Sequence, residues 1–395
     1  MSSKITKQFL PFITAFLLFC GMRPYFVWGF YYLPLMKFVI LLAISLLFYS
    51  KRKMLYSRKD VLLSIIFVFT VVFGAIISSI GGSANFFGIL NILSNVFLVF
   101  IILSSKEFRG DVLKSFSTIY SVLIAASFIS WMLLKVGILP EIGLLTSHDM
   151  EDRWFIHYPF LVIESSLGTL VRFNGLFDEP GVVGTVGAIL LCINGFNLKD
   201  WRNIVILITC LFSLSFFFYL ISLTYLIIYF IFVKRKVIIV VLLATIVVTF
   251  YEKTKDDDIF ITTLWERVVW DSDRHQFKGD NRINDDAVII FESKKGTLEY
   301  FFGFDDKVRY NKFAEGSSSY KTIIANYGII FFTLYSGFFI LLAYRKEVNK
   351  IAFLLYCLVL LANLYQRPSI YVPHILFLFI VFADNLRKDS YFTQS

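Results

Sequence analysis

Charge is scarce in this chain: of 395 residues, 17% are Asp, Glu, Lys or Arg, against about 25% in an ordinary soluble domain. Histidine and cysteine are scarcer still, with four of each, and there are eight prolines. The shortage of charge excludes a soluble globular enzyme and a disordered chain, and the shortage of cysteine excludes a disulfide-rich secreted module. Cys20, Cys192, Cys210 and Cys357 each lie in an apolar run, without metal-ligand or redox spacing, and read as small buried hydrophobes. What the chain has instead is apolar surface. Hydrophobic residues make up 57%, Phe alone contributes 46 residues, and the mean hydropathy is +0.72. Such a chain takes lipid as its main solvent, and its net charge of +9 is first of all a topology signal.

A spanning helix needs about 20 mostly apolar residues to cross roughly 30 Å of hydrocarbon. Apolar runs lie near 8–22, 34–50, 61–80, 86–104, 113–137, 180–196, 203–233, 237–251, 322–343, 351–366 and 369–385. Lys4 and Lys7 precede the first run, which lacks a small-x-small cleavage site, and Phe19 spoils the lipoprotein pattern at Leu17–Cys20, so it is expected to be an uncleaved span. The run 203–233 is long for one crossing and short for two. Charge placement decides between them. The basic turns are Lys51–Lys53 with Arg58-Lys59, Lys106–Lys114, Lys199–Arg202, Lys234–Lys236, Arg345–Lys350 and Arg387-Lys388. All of them fall on the inner side only if 203–233 crosses twice, with a turn near Ser213–Ser215. The expected fold is an all-α polytopic membrane protein of about twelve transmembrane helices: five in 1–138, four in 180–251, three in 322–395 with an inward tail, and two long outward segments at 139–179 and 252–321.

Those two segments carry 22 acids against 14 basics, a net −8, and the remainder carries 24 basics against 7 acids, a net +17. The basic balance is therefore an inward-facing signal and gives no support to nucleic-acid binding. Within the first segment, Tyr158–Val171 is too short to span and is expected to lie at the interface. The spans themselves hold few ionisable residues. Lys37 and Lys135 lie where they can snorkel outward, His374 near an outer end and Asp384 near an inner one, while His148, His157 and His275 fall in the outward segments. The lack of paired charges at mid-depth argues against ion-coupled transport.

The most specific stretch is Val171–Gly187. It reads as a loop delivering Arg172 to a helix start, with Pro180 in the first turn and Asp178 and Glu179 at the positive end. Gly181, Gly184 and Gly187 fall every third residue, leaving one side bare for close helix contact. The helix amides with Arg172 suit an anionic group at the membrane surface. The plainer alternative is that Arg172 pairs with Asp178 or Glu179 and pins the loop. A second outward helix start, Gly316–Ile330, offers Ser317, Ser318 or Ser319 as a cap, with Tyr320 and Lys321 beside it. Arg267, Arg274, Arg282 and Arg309 add bidentate phosphate donors in the second segment, and Arg282, in Gly-Asp-Asn-Arg, is the favoured one. Arg23 and Arg367, each before proline, read as headgroup anchors at the rim, and Asp256–Asp258 as a solvated turn.

Arg172-Phe-Asn-Gly-Leu-Phe-Asp-Glu-Pro180 resembles the Arg-x-x-Gly-x-Phe-x-Glu-Pro stretch of Wzy-type O-antigen polymerases. Asn281-Arg282, Tyr300–Asp305, Ser317–Tyr320 and Asn326–Ile330 follow the order of that family's second outward loop and returning helix. The related O-antigen ligases carry a histidine just before the returning helix, where this chain has Ser317–Ser319, so the resemblance favours a polymerase over a ligase. It implies a bacterial inner-membrane glycosyltransferase acting at the periplasmic face. Its substrates would be undecaprenyl-pyrophosphate-linked oligosaccharides, with a flippase and a chain-length regulator as partners; no Asp-x-Asp signature with matching context stands out in the chain, so no metal or cofactor is expected. The growing chain would leave its lipid pyrophosphate for the non-reducing end of a new repeat unit. Such a leaving group calls for stabilised negative charge. The resulting candidate site has Arg172 and Arg282 on pyrophosphate, with Glu179 orienting Arg172 or its loop. Gly175, Asp178, Pro180 and Gly181 bind substrate from the first segment, and Arg267, Arg274, His275, Arg309, Ser318, Tyr320 and Lys321 from the second. The rival reading from another class is a flippase or transporter of the same lipid-linked units.

Overall fold

In a lipid solvent every backbone N–H and C=O must be paired within the chain, which is why long apolar runs become helices. The computed structural model of the protein describes residues 2–50, 57–80, 86–147, 150–165, 172–272, 276–277, 285–305, 308, 320–344, 348–366 and 372–386. Every predicted apolar run forms a helix there: α1 Ser2–Cys20, α2 Leu33–Ser50, α3 Arg58–Ile80, α4 Phe86–Ser104, α5 Lys106–Lys135, α6 Pro180–Ile193, α7 Trp201–Phe212, α8 Phe216–Ile228 and α9 Val237–Thr254. After a single-turn α10 (Asp258–Phe260) come α11 Asp285–Lys294, α12 Leu298–Phe302, α13 Tyr320–Ala343, α14 Lys350–Gln366 and α15 Pro373–Asp384. Hydroxyl groups inside the helices are absorbed locally: Thr14, Ser45 and Ser94 each donate to the carbonyl four residues back, at 2.7–2.9 Å. The ambiguous run is broken where the charge argument put the turn, between α7 and α8, with Leu214 in the left-handed region at φ 46°.

Among the described residues, four helices are long and apolar enough to cross a membrane by length and composition, namely Arg58–Ile77 of α3, then α5, α9 and α13. Two further apolar helices, α6 and α15, are short and enclosed by protein. Beyond its first residue and Val182, every residue of α6 is buried, and every residue of α15 is buried. At about 1.5 Å per residue they are roughly 21 and 18 Å long. A helix shielded from lipid has no need to match the hydrocarbon thickness. Around them, α1 packs on α5, α2 on α4, α13 on α3, and α14 on α8, while α15 touches α1, α4, α5, α6, α13 and α14. By contrast, no residue of α9 is buried.

Described residues of three basic turns, Lys59, Arg109 and Asn349, make contacts at helix ends. Asn385 Nδ2 donates to Ile193 O at 3.0 Å, so the C-terminal ends of α6 and α15 meet. Arg109 pairs with Asp384 and also donates to Ile102 O at 2.5 Å. Asn349 N bonds Leu386 O at 3.0 Å, and Lys59 reaches Tyr344 O. Arg109, in the basic turn that opens α5, and Asp384, the last residue of α15, form a buried ion pair. Lys37 does not snorkel. It is 7% exposed and donates to Asn91 Oδ1 at 2.7 Å. Lys135 does stay near the rim of α5, 4.0 Å above the Trp131 ring.

The first long segment departs from an all-helical plan. It holds an antiparallel sheet in the order β1 (Gly143–Ser147), β2 (Met150–Tyr158), β3 (Leu161–Glu164). Phe155 pairs with Glu164, and Tyr158 with Leu161. Phe155 and Val162 pack on Trp28 of the α1–α2 connection. The stretch expected at the interface is therefore partly a buried strand, with Leu161 and Val162 fully enclosed, while 166–171 lie outside the described residues. In the second segment Phe291 of α11, Phe304 and Ala325 of α13 form a small separate core, and Trp270-Asp271 pairs with Gln276-Phe277.

Candidate functional site

Two loops and two sets of helix ends build the region around Arg172. Phe173 is wedged among Phe128, Trp131 and Phe212, with ring centroids at 5.2–5.9 Å between neighbours, and its N–H bonds Phe212 O at 3.0 Å. This fixes the start of the loop against the ends of α5 and α7. Asn174 Nδ2 donates to Val162 O at 2.7 Å and Phe177 O at 2.9 Å, tying the loop to β3 and closing it on itself. Gly175 adopts φ 62°, and a Cβ there would stand 3.0 Å from Ile124 Cδ1, so the turn requires glycine. Tyr25 N then bonds Leu176 O at 2.9 Å, bringing the α1–α2 connection onto the loop.

Arg172 itself is half-buried. Its Nε donates to Ser213 O at 3.2 Å and its Nη2 to Leu214 O at 3.1 Å. The guanidinium thus sits on the carbonyls that end α7, where the helix dipole is negative. These two bonds pin the loop to the α7–α8 turn. Asp178 and Glu179 are both half-buried just ahead of α6. Glu179 occupies the N-cap position in an extended conformation and makes no side-chain cap, Pro180 opens the first turn, and Gly181 is buried. Arg23, outside the predicted set, lies beside Asp178: burial lowers its pKa from the ordinary value and the Asp178 carboxylate opposes that. Arg23 holds φ 60° and its carbonyl accepts from Trp28 Nε1 at 2.9 Å. The only signal for it in the sequence was an arginine before proline at the rim.

The glycine spacing of α6 does what it predicts. A Cβ on Gly184 would overlap Ser215, and one on Gly187 would overlap Cys210 Sγ and stand 3.1 Å from Ile206 Cγ2. Tyr120 Oη donates to Val183 O at 3.0 Å, so α5, α7 and α8 all close on the first half of α6.

The second helix start is assembled separately. Tyr320 stacks on Tyr365 of α14 at 6.4 Å and meets Phe291 edge-on at 6.5 Å. Lys321 is 7% exposed and lies 5.9 Å over the Phe291 ring. Helix α13 is discontinuous: Gly328, at φ 80° and ψ 161°, interrupts it. The Phe304 N–H fills the gap by donating to Ala325 O at 2.7 Å. Arg267 is half-buried on the turn that follows α9, next to Trp265, which packs on Phe250 and Tyr251. Arg274, His275, Arg282, Arg309 and Ser318 lie outside the described residues.

No protein-family model, curated protein or solved structure matches this chain.

Proposed function

We propose that this protein is a twelve-span bacterial inner-membrane polymerase that joins undecaprenyl-pyrophosphate-linked oligosaccharide repeat units at the periplasmic face. One observation carries the reading. The loop 172–179 is held by Phe173, Asn174 and Gly175 so that it ends at the uncapped start of the buried helix α6, with Arg23 beside Asp178. In this reading the helix amides and nearby arginines take up the charge of a departing pyrophosphate. The grip of Arg172 on the Ser213 and Leu214 carbonyls makes it a positioning residue for that loop as well as a cation. Arg282 supplies the second phosphate contact, and Glu179 steadies the loop. A flippase and a chain-length regulator are the expected partners.

The test is the ladder of polymer lengths made by cells that still synthesise the single repeat unit. Arg172→Ala and Arg282→Ala are each expected to leave single units and lose long polymer; normal polymer from both variants would overturn the assignment. Arg172→Lys separates charge from fork geometry, since lysine keeps the charge but lacks the planar guanidinium fork.

A second reading is favoured by a specific observation. Buried ionisable groups do occur among the helices, in Lys37, His374 and the Arg109–Asp384 pair, as a transporter of the lipid-linked units would require. The two readings part in a deletion strain. Single units accumulating on the outer side support the polymerase, units trapped inside support a flippase, and long polymer not transferred to its final acceptor supports a ligase.

A further inference from the structure

The outward sheet has two apolar faces, and only one of them is covered by protein. Phe155 and Val162 lie on the covered face, packed with Leu145 against Trp28. The other face carries Leu144, Ile156 and Ile163, which are directly in register across the three strands. Trp154, two residues before Ile156, is on the same side. An antiparallel sheet with one face on a core ordinarily shows polar residues on the other. Here Leu144 is 56% exposed and Trp154 52%, while Ile156 and Ile163 are half-buried. An uncovered apolar face of this kind calls for an apolar partner.

The chain that leads into the sheet identifies that partner. Helix α5 is long and apolar enough to cross a membrane. Its exposed residues Val122, Ile129 and Leu133, with Val136 at its C-cap, follow the helical period and form one stripe. The stripe does not stop where the helix does. Gly137, at φ 73°, closes α5: its N–H bonds Leu134 O at 2.9 Å, and Ile138 N bonds Leu133 O at 3.0 Å. Ile138 and Ile142 are exposed in turn, and Ile142 N donates to His157 O at 2.8 Å, which joins this run to β2. Between Val136 and Leu144 the only charge is Glu141. Strand β3 also touches α5, so the sheet sits against the spanning helix. Lys135, 4.0 Å over the Trp131 ring, marks the rim where α5 leaves the hydrocarbon. Beyond such a rim lies the interfacial layer, where tryptophan is favoured.

We propose that the uncovered face of the sheet rests on the bilayer surface, with Ile138, Leu144 and Trp154 inserted between lipid headgroups. The partner of this surface is the phospholipid leaflet at which α5 ends. The contact has a consequence for the neighbouring loop. Val162 N bonds Gly175 O at 3.2 Å, and Asn174 Nδ2 donates to Val162 O at 2.7 Å. The sheet therefore carries the 172–179 loop, and its seat on lipid sets the height of that loop above the bilayer. This holds whatever the loop binds, so it does not depend on the polymerase reading.

The experiment is tryptophan quenching in the full chain, reconstituted at one copy per lipid nanodisc. The discs contain phosphatidylcholine with or without bromine on the upper acyl carbons, and iodide is the quencher on the aqueous side. The chain has six tryptophans. Trp154 is therefore read as the difference between wild type and Trp154→Phe. That difference emission is expected to lose most of its intensity in brominated lipid. Leu144→Trp provides a second reporter, which also serves where Trp154→Phe fails to fold: it should add emission that brominated lipid quenches. Emission from these positions that brominated lipid leaves unchanged overturns the proposal. Quenching by iodide alone would then show a face turned to water and open to a saccharide or a soluble partner. Resistance to both quenchers would show a face covered by protein. Arg172→Ala should keep the lipid response, so this test and the polymer ladder are read independently.

Discussion

Replacing Gly328 by alanine tests how the second long segment is docked onto α13. The glycine combines φ 80° with ψ 161°, a backbone region essentially closed to side chains and worth about 1–3 kcal/mol of strain for any other residue. The added Cβ would stand 2.5 Å from the Phe301 carbonyl carbon and 2.7 Å from Phe302 Cα, and nearer still to the Phe301 oxygen. These are backbone atoms, so α12 itself must move, at an overpacking cost of about 1–3 kcal/mol. Displacing α12 also loosens the bond from Phe304 N to Ala325 O, worth about 1 kcal/mol. Together the losses come to roughly 3–7 kcal/mol. Gly337 lies further along the same helix with nothing within 4 Å of its Cβ position. Alanine there should be neutral, or stabilising by up to about 1 kcal/mol. The assay is paired: thermal melting in one detergent, and the rate of proteolysis within 285–305. Gly328→Ala should melt well below wild type and expose that segment, while Gly337→Ala should do neither. Equal behaviour of the two variants would refute the docked arrangement of α12 on α13.

Other consequences can be measured in the same way. Arg109→Leu should cost about 3–5 kcal/mol, because it removes the guanidinium paired with the buried Asp384 carboxylate. Arg109→Leu with Asp384→Leu should recover most of that loss, and a double variant no better than the single one would sink the pairing. His157 titrates outside the helices, and burial lowers its pKa below its ordinary 6.5. The unfolded chain then binds the proton at a higher pH than the folded one, so stability should rise with pH from the folded value up to about 6.5 and be flat above it. His157→Phe should flatten that slope in a melt series from pH 5 to 8, and an unchanged slope would assign it to another group.

The helices were legible in the sequence because apolar length and basic turns are local properties. The break at Ser213–Ser215 followed from charge bookkeeping alone, and the structure turns there. The sheet was missed, although Trp154–Tyr158 lies in a segment of mixed polarity, because its pairing with Leu161–Glu164 competes with an apolar run that reads as interfacial. The glycines of α6 were readable as a bare helix face, and Ser215 and Cys210 occupy it. Arg172 is a different case. Its residue type announced an anion, while the two carbonyls that hold it belong to a turn some 41 residues on. Lys37 failed for a related reason: the snorkelling rule assumes that a terminal lysine faces lipid or water, and only the packing of α2 on α4 shows that it faces Asn91. Position along a helix is written locally, whereas the direction a side chain faces is written in its neighbours.

The enclosed position of α15 bears on how the protein is made. It is the last described helix of the chain, yet its neighbours include α1, α4 and α5. Arg109 is synthesised 275 residues before its partner Asp384. At about 5–20 residues per second, the early helices wait roughly 14–55 s for the element that fills their centre. Until then the first half of the bundle has an unfilled interior and a cation with no counter-charge. Final closure therefore comes at the end of translation, with insertion of α15 and formation of the Arg109–Asp384 pair together.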